Sequence, residues 1–197
     1  MYLLGVTGSI GSGKSTVSKR LAELGAMVSH SDDLARYLLE NNEDILAQLS
    51  ARFGSDILDE AGQLRRSVLA ARAFATREHQ LYLNQLIHPR VWEATQIRIE
   101  SAREQGIALF VMDAPLLFEA GVEVYLDSVL VVTASLDLRK LRIFQRSQID
   151  SEDFDRRESL QMAIEKKVEL ADHIIENNGT LQELEQQVDE LYHRLTL

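Results

Sequence analysis

The sequence predicts an open α/β fold in which helices flank a parallel sheet. A glycine-rich loop at residues 8–16 joins a short apolar segment to a helical pattern. Further short apolar segments alternate with helical stretches, and each ends in polar or turn residues. The carboxyl ends of parallel strands meet at one edge of a sheet, so we expect ligands to bind at that edge.

The first predicted strand, Tyr2 to Val6, leads directly into a phosphate-binding P-loop. The loop reads Gly8-Ser9-Ile10-Gly11-Ser12-Gly13-Lys14-Ser15-Thr16, and a helical pattern follows it to about Leu24. The glycines let successive N–H groups point into one hollow, and the helix adds the positive end of its dipole. The pattern predicts a nucleoside triphosphate cradle, with Lys14 on the β and γ phosphates and the Ser15 hydroxyl on Mg²⁺.

A second short strand, Ala26 to Val28, places carboxylates beside this cradle. It leads into Ser29-His30-Ser31-Asp32-Asp33, and we expect a helix from about Leu34. Asp32 or Asp33 can face the γ phosphate while the other caps the helix. The alternative is that both are only helix caps.

The region from about Leu34 to Gln105 reads as almost entirely helical, with one turn-rich break at residues 59–62. We treat residues 34–106 as a helical insertion in a core made of residues 1–33 and 107–197. His88 precedes Pro89 inside this insertion. A lone histidine in an apolar helix is more often structural than catalytic, so His88 is only a substrate-side candidate.

Three further short strands are predicted after the insertion. They cover Ile107 to Met112, Val129 to Val132, and Ile174-Ile175. Asp113 closes the first of them in the manner of a Walker-B aspartate, which holds Mg²⁺ near a triphosphate.

An arginine-rich helical segment lies between the last two predicted strands. Arg142 and Arg146 are one helical turn apart there and can face the transferring phosphate together. We therefore predict a mobile lid over about residues 136–167. The alternative is a solvated helix face carrying ion pairs.

Composition narrows the class of protein. The 197 residues are 45% apolar and 26% charged, which suits one ordinary core. A net charge of −10 argues against a nucleic-acid or membrane-surface protein. There is no cysteine, and the histidines lack metal-ligand spacing. With no credible secretory signal or membrane span, we expect a cytoplasmic protein, and we assume a monomer.

Several segments together resemble one P-loop kinase family, dephospho-coenzyme A (dephospho-CoA) kinase. Besides the P-loop, they are Asp32-Asp33-Leu34-Ala35-Arg36, Gly62-Gln63-Leu64-Arg65-Arg66, Leu86-Ile87-His88-Pro89, Pro115-Leu116-Leu117-Phe118-Glu119, and Ala171-Asp172-His173-Ile174-Ile175-Glu176-Asn177-Asn178-Gly179. Many families share the P-loop, but not the order of the other segments. The family usually has aspartate where this chain has His30, and often has aspartate where it has Ser147.

The resemblance implies a five-stranded parallel sheet, a lid and a helical domain that receives the coenzyme A precursor. The implied reaction transfers the γ-phosphate of ATP to the ribose 3′-hydroxyl of dephospho-CoA, the last step of coenzyme A synthesis. By resemblance, Asp32 is the catalytic aspartate and Arg142 stabilises the transferring phosphate. Residues matched near the substrates are Arg36, Arg66 and His88 for the acceptor, and Arg146 and Asn178 for the nucleotide.

Three other functions remain open from the sequence. A nucleoside monophosphate kinase would share the P-loop and the lid but not the His-Pro segment. A GTP-driven switch finds an Asp-x-x-Gly match at residues 59–62, but the chain has no Asn-Lys-x-Asp segment to read guanine. In a non-enzymatic nucleotide-binding module, Asp32 and the lid arginines would have no function.

Overall fold

The computed structural model describes residues 1–197 and contains the predicted open parallel sheet. Its five strands lie in the order β2-β3-β1-β4-β5, and every neighbouring pair is parallel. The strands are β1 (Tyr2–Gly8), β2 (Met27–His30), β3 (Leu109–Asp113), β4 (Ser128–Thr133) and β5 (His173–Glu176). The carboxyl ends of β1 and β3 are therefore neighbours at one edge of the sheet.

Nine α-helices connect and cover these strands. They are α1 (Lys14–Glu23), α2 (Ser31–Asn41), α3 (Glu43–Phe53), α4 (Arg66–Ala73), α5 (Arg77–Glu104), α6 (Leu136–Ser147), α7 (Ser151–Glu158), α8 (Ile164–Leu170) and α9 (Leu181–Thr196). Helix α2 begins at Ser31, three residues before the predicted start at Leu34. The prediction that both aspartates precede the helix is wrong, because Asp32 and Asp33 lie in its first turn, where the helix dipole favours carboxylates.

The chain forms two compact units, of which the first comprises Met1–His30 and Arg98–Leu197. Its core is the sheet, with Leu4, Val6, Leu130 and Val132 all fully buried. Strands of a parallel sheet are covered on both faces, so they read as continuous apolar runs. None of the helices has the length and apolar character needed to cross a bilayer.

The second unit, Ser31–Ile97, contains α2, α3, α4 and most of α5. Its separate core is built around Ile45, Leu49 and Ile57, which are fully buried. The turn predicted at residues 59–62 is present: the Asp59 carboxylate accepts from the N–H groups of Ala61 and Gln63. The predicted insertion, residues 34–106, starts later and ends later than this unit. Its role in receiving an acceptor stays a prediction.

Candidate active site

The loop between β1 and α1 forms a hollow lined by backbone N–H groups. Ser12 N donates to Ser9 O over 3.1 Å, which folds the loop back on itself. Gly13 is the N-cap of helix α1, and its amide and those of Lys14 and Ser15 in the first turn have no acceptor in the chain. Unpaired amides at a helix N-terminus attract an anion, so the geometry suits a phosphate group.

Two glycines of the loop adopt backbone conformations that other residues rarely adopt. Gly11 has φ +79° and Gly13 has φ +98°. A β-carbon on Gly11 would lie 2.6 Å from the carbonyl oxygen of Arg139 in helix α6. A β-carbon on Gly13 would collide with the side-chain amide of Asn177. Both positions therefore need glycine for conformation and for space.

Lys14 and Asp113 form an ion pair at the carboxyl edge of the sheet. Asp113 is the last residue of β3 and only 3% exposed, and its Oδ1 contacts the Lys14 ammonium. Its other oxygen accepts a 3.0 Å hydrogen bond from Nδ1 of His30. His30 reaches it because β2 and β3 are neighbours and these two residues are register partners. Two donors thus compensate a buried carboxylate.

The residues predicted to hold Mg²⁺ lie around this cradle. Ser15 is exposed in the first turn of α1, and Asp113 closes β3. No cluster of three His, Cys, Asp or Glu side chains is placed to hold a metal ion. Magnesium usually keeps several waters and binds through one or two protein oxygens plus phosphates. Ser15 and Asp113 as magnesium ligands stay a prediction, since Lys14 and His30 contact the two oxygens of Asp113 in this structure.

Helix α6 approaches the cradle through two arginines. Arg139 is 4% exposed; its Nη1 donates to Glu158 over 2.7 Å and to Ile10 O over 3.4 Å. Nη2 of Arg142 donates to the backbone and side-chain oxygens of Asn177 over 3.0 and 3.3 Å. Arg146 lies one turn further along, exposed and without an ion pair. The binding of phosphate by Arg142 and Arg146 together stays a prediction.

Ion pairs also connect residues within the predicted lid segment. Lys140 pairs with Asp155 over 2.8 Å, and Arg156 pairs with Asp153 over 2.8 Å. The alternative of a solvated face therefore describes part of the segment, but not the buried Arg139. The lid's motion stays a prediction.

The loop after β5 contains two asparagines with different contacts. Oδ1 of Asn178 accepts a 2.8 Å bond from the N–H of Ser135, which is the N-cap residue of α6. Nδ2 of Asn177 donates over 2.8 Å to the carbonyl of Ser12 in the cradle. The sequence prediction selects Asn178 and misses Asn177. Their adjacency in the Asn-Asn-Gly segment is the signal that could have found it.

The predicted acceptor residues Asp32, Arg36 and Arg66 line one groove in the second unit. Its volume is about 440 Å³, and its apolar wall includes Leu39 and Phe74. Arg36 lies 3.7 Å from the carboxylate of Asp33, and Arg66 pairs with Glu40. The groove thus combines charged side chains with an apolar surface, which suits a ligand of mixed polarity.

His88 is not among the residues that line this groove. It is half-buried within helix α5, and burial lowers its pKa. A neutral ring inside a helix fits the structural interpretation of this residue. Its predicted place near the acceptor stays a prediction.

The chain matches the family model described as dephospho-CoA kinase over residues 2–183. A dephospho-CoA kinase from Corynebacterium diphtheriae is 40% identical over 194 residues, covering 98% of this chain and 97% of that protein. Another, from Syntrophotalea carbinolica, is 38% identical over 195 residues, covering 99% and 92%.

Solved structures agree with these matches. A Thermus thermophilus protein superposes with a TM-score of 0.83 at 34% identity, covering 100% of this chain and 98% of its own. The dephospho-CoA kinase from Campylobacter jejuni gives 0.65 at 25%, covering 98% and 97%. A shikimate kinase from Acinetobacter baumannii, 17% identical with a TM-score of 0.57, shares the fold. The P-loop, the five-stranded parallel sheet and these full-length matches show that the chain belongs to the dephospho-CoA kinase family.

Proposed function

We propose that this chain transfers the γ-phosphate of ATP to the ribose 3′-hydroxyl of dephospho-CoA. The observation that supports ATP as the phosphate donor is the hollow at residues 8–16. Its amides at Gly13, Lys14 and Ser15 have no acceptor within the chain. The acceptor half rests on membership of the family.

Lys14 and the loop amides hold the β and γ phosphates. The lysine exchanges its contact with Asp113 for the phosphate oxygens, while the amides contribute fixed dipoles. Ser15 and Asp113 would hold Mg²⁺, which would neutralise charge on the β and γ phosphates when bound. The cradle therefore binds the transferring group in both the ground state and the transition state.

Asp32 serves as the general base for the acceptor hydroxyl. It lies in the first turn of α2 and lines the groove of the second unit with Arg36 and Arg66. The arginines suit the diphosphate of dephospho-CoA, since a guanidinium can donate two parallel hydrogen bonds to phosphate. Leu39 and Phe74 give the less polar pantetheine arm an apolar surface.

Arg142 stabilises the charge that spreads over the transferring oxygens. Its Nη1 is buried without a hydrogen-bond partner, so the guanidinium retains unused donors beside the cradle. Donors fixed before the reaction are the main source of electrostatic stabilisation in phosphoryl transfer.

A substrate panel tests this assignment. With ATP and Mg²⁺, the protein should form ADP when dephospho-CoA is the acceptor, and the product should be coenzyme A by mass. Nucleoside monophosphates at equal concentration should give no turnover. Comparable rates with a monophosphate would instead indicate a nucleoside monophosphate kinase.

Two neighbouring aspartates provide a matched pair of variants for the base. Asp32→Asn should lower kcat by roughly 10² to 10⁴, as expected for a positioned base, while ATP affinity stays the same. Asp33→Asn is the control, since Asp33 shares the same helical turn. A large loss in Asp33→Asn with a small loss in Asp32→Asn would reverse the assignment.

A further inference from the structure

We propose that Asn177 is a positioning residue, which fixes the Ser12–Gly13 peptide of the cradle through its side chain and the guanidinium of Arg142 through its side-chain and backbone oxygens. Neither the P-loop pattern nor the predicted substrate residues include Asn177. The inference rests on the proposed function insofar as it takes the cradle to be the nucleotide site.

The position of Asn177 is fixed by the sheet. Its N–H donates to Thr133 O over 2.8 Å, which continues the pairing of β4 with β5. The residue is 7% exposed, so its side-chain amide must find partners inside the protein. A backbone held by the sheet and a buried side-chain amide make Asn177 a suitable anchor for its neighbours.

The first neighbour is the cradle itself. Nδ2 of Asn177 donates to Ser12 O over 2.8 Å. The C=O of Ser12 and the N–H of Gly13 belong to one planar peptide and point in opposite directions. Holding the carbonyl outside the hollow therefore turns the N–H of Gly13 toward the phosphate. Gly13, with φ +98°, could otherwise rotate at little cost.

The second neighbour is Arg142. Its Nη2 donates to the backbone oxygen of Asn177 over 3.0 Å and to Oδ1 over 3.3 Å. Its Nη1 is buried without an acceptor, a costly arrangement that a phosphate oxygen would relieve. Asn177 thus holds one edge of the guanidinium, while the other edge has no acceptor within the protein.

ADP affinity, measured by calorimetry with Mg²⁺, tests the contact with the cradle. Asn177→Ala removes the donor to Ser12 and should weaken ADP binding about tenfold, the value of one hydrogen bond. Asn177→Asp keeps the size and the acceptor for Arg142 but also loses the donor, so it should weaken binding at least as much. Either folded variant binding ADP within about twofold of the unmodified protein would overturn the cradle contact.

The contact with Arg142 is tested by kcat at saturating ATP. Asn177→Ala should lower kcat severalfold in the unmodified protein and much less in an Arg142→Ala background, because residues that act through each other are not additive. Asn177→Ala removes only the side-chain acceptor of Arg142 and keeps the backbone oxygen, so equal losses in both backgrounds would overturn the positioning of Arg142 by the Asn177 side chain.

Gln187→Ala is the matched control for the loss of a side-chain amide near this loop. The amide of Gln187 donates to Glu176 O over 3.2 Å, next to Asn177 in sequence, and does not contact the cradle. The variant should leave ADP affinity unchanged, and a loss equal to that of Asn177→Ala would overturn the specific role of Asn177. Failure of the unmodified protein to phosphorylate dephospho-CoA would contradict the proposed function but leave the ADP measurement valid.

Discussion

Replacing Gly11 with alanine should damage both stability and nucleotide binding. The residue has φ +79°, where a β-carbon costs about 1–2 kcal/mol. That carbon would also lie 2.6 Å from the Arg139 carbonyl oxygen, well inside ordinary contact at 3.4 Å. Overpacking of this kind costs about 1–3 kcal/mol more, so the sum is about 2–5 kcal/mol.

Gly121→Ala provides a control that isolates the backbone contribution. Gly121 has φ +67°, in the same compact unit, but a β-carbon there would meet nothing within 4 Å. It should therefore lose only about 1–2 kcal/mol of unfolding free energy. The difference between the two variants measures the close approach of the cradle to helix α6.

Denaturant unfolding and ADP calorimetry together provide the assay. Gly11→Ala should unfold at a lower denaturant concentration than Gly121→Ala. It should also bind ADP more weakly, because the loop can relieve the collision only by moving away from Arg139. If the two variants were equally stable and Gly11→Ala retained full ADP affinity, the close packing inferred from the structure would be wrong.

Three further predictions concern the nucleotide, the acceptor groove and pH. Lys14→Ala should weaken ATP binding and lower kcat, each by about ten- to a hundredfold, because the lysine charge contacts phosphate in both the ground state and the transition state. Calorimetry measures the loss of binding, and the rate of ADP release measures the loss of kcat. Phe74→Ala should raise KM for dephospho-CoA about tenfold without changing KM for ATP, whereas Leu81→Ala, also exposed but outside the groove, should change neither. Asp189→Asn should lower Tm at pH 7 by roughly 1–2 °C. The reason is that two hydrogen bonds from Arg20 hold the pKa of Asp189 below its ordinary value, so the ionised carboxylate stabilises the folded protein. The difference in Tm between the variant and the unmodified protein should vanish as the pH falls from about 4 through that lowered pKa.

Local patterns predict the elements of the fold that depend on neighbouring residues. The P-loop is a contiguous sequence, and the strands that end at Asp113 and Thr133 are continuous apolar runs. The end of β2 is less clear. Its last residues, Ser29 and His30, are polar and read as a loop, yet they pair with β3 at the edge of the sheet. Polar residues suit an edge strand because one side of it is unpaired.

Contacts between distant residues cannot be predicted from these patterns. Asn177 is 165 positions away from Ser12, and no local signal connects them. His30 contacts Asp113 only because β2 lies beside β3, and the order of strands in a sheet cannot be predicted from hydrophobic periodicity. The sequence places Arg139 in a charged lid, but it packs over the ring of Phe154 and pairs with Glu158. Its charge gives no indication of this burial.

The pairing of Lys14 with Asp113 should affect the proposed binding of nucleotide. A carboxylate that is 3% exposed is costly to leave without partners. In the proposed function the lysine moves to phosphate, and Asp113 then exchanges that contact for the magnesium site while it keeps the hydrogen bond from His30 on its other oxygen. That remaining bond offsets part of the cost of moving the lysine. We therefore expect the strand register of β2 against β3 to contribute to nucleotide affinity, although neither strand contributes a residue to the loop proposed to cradle the phosphates.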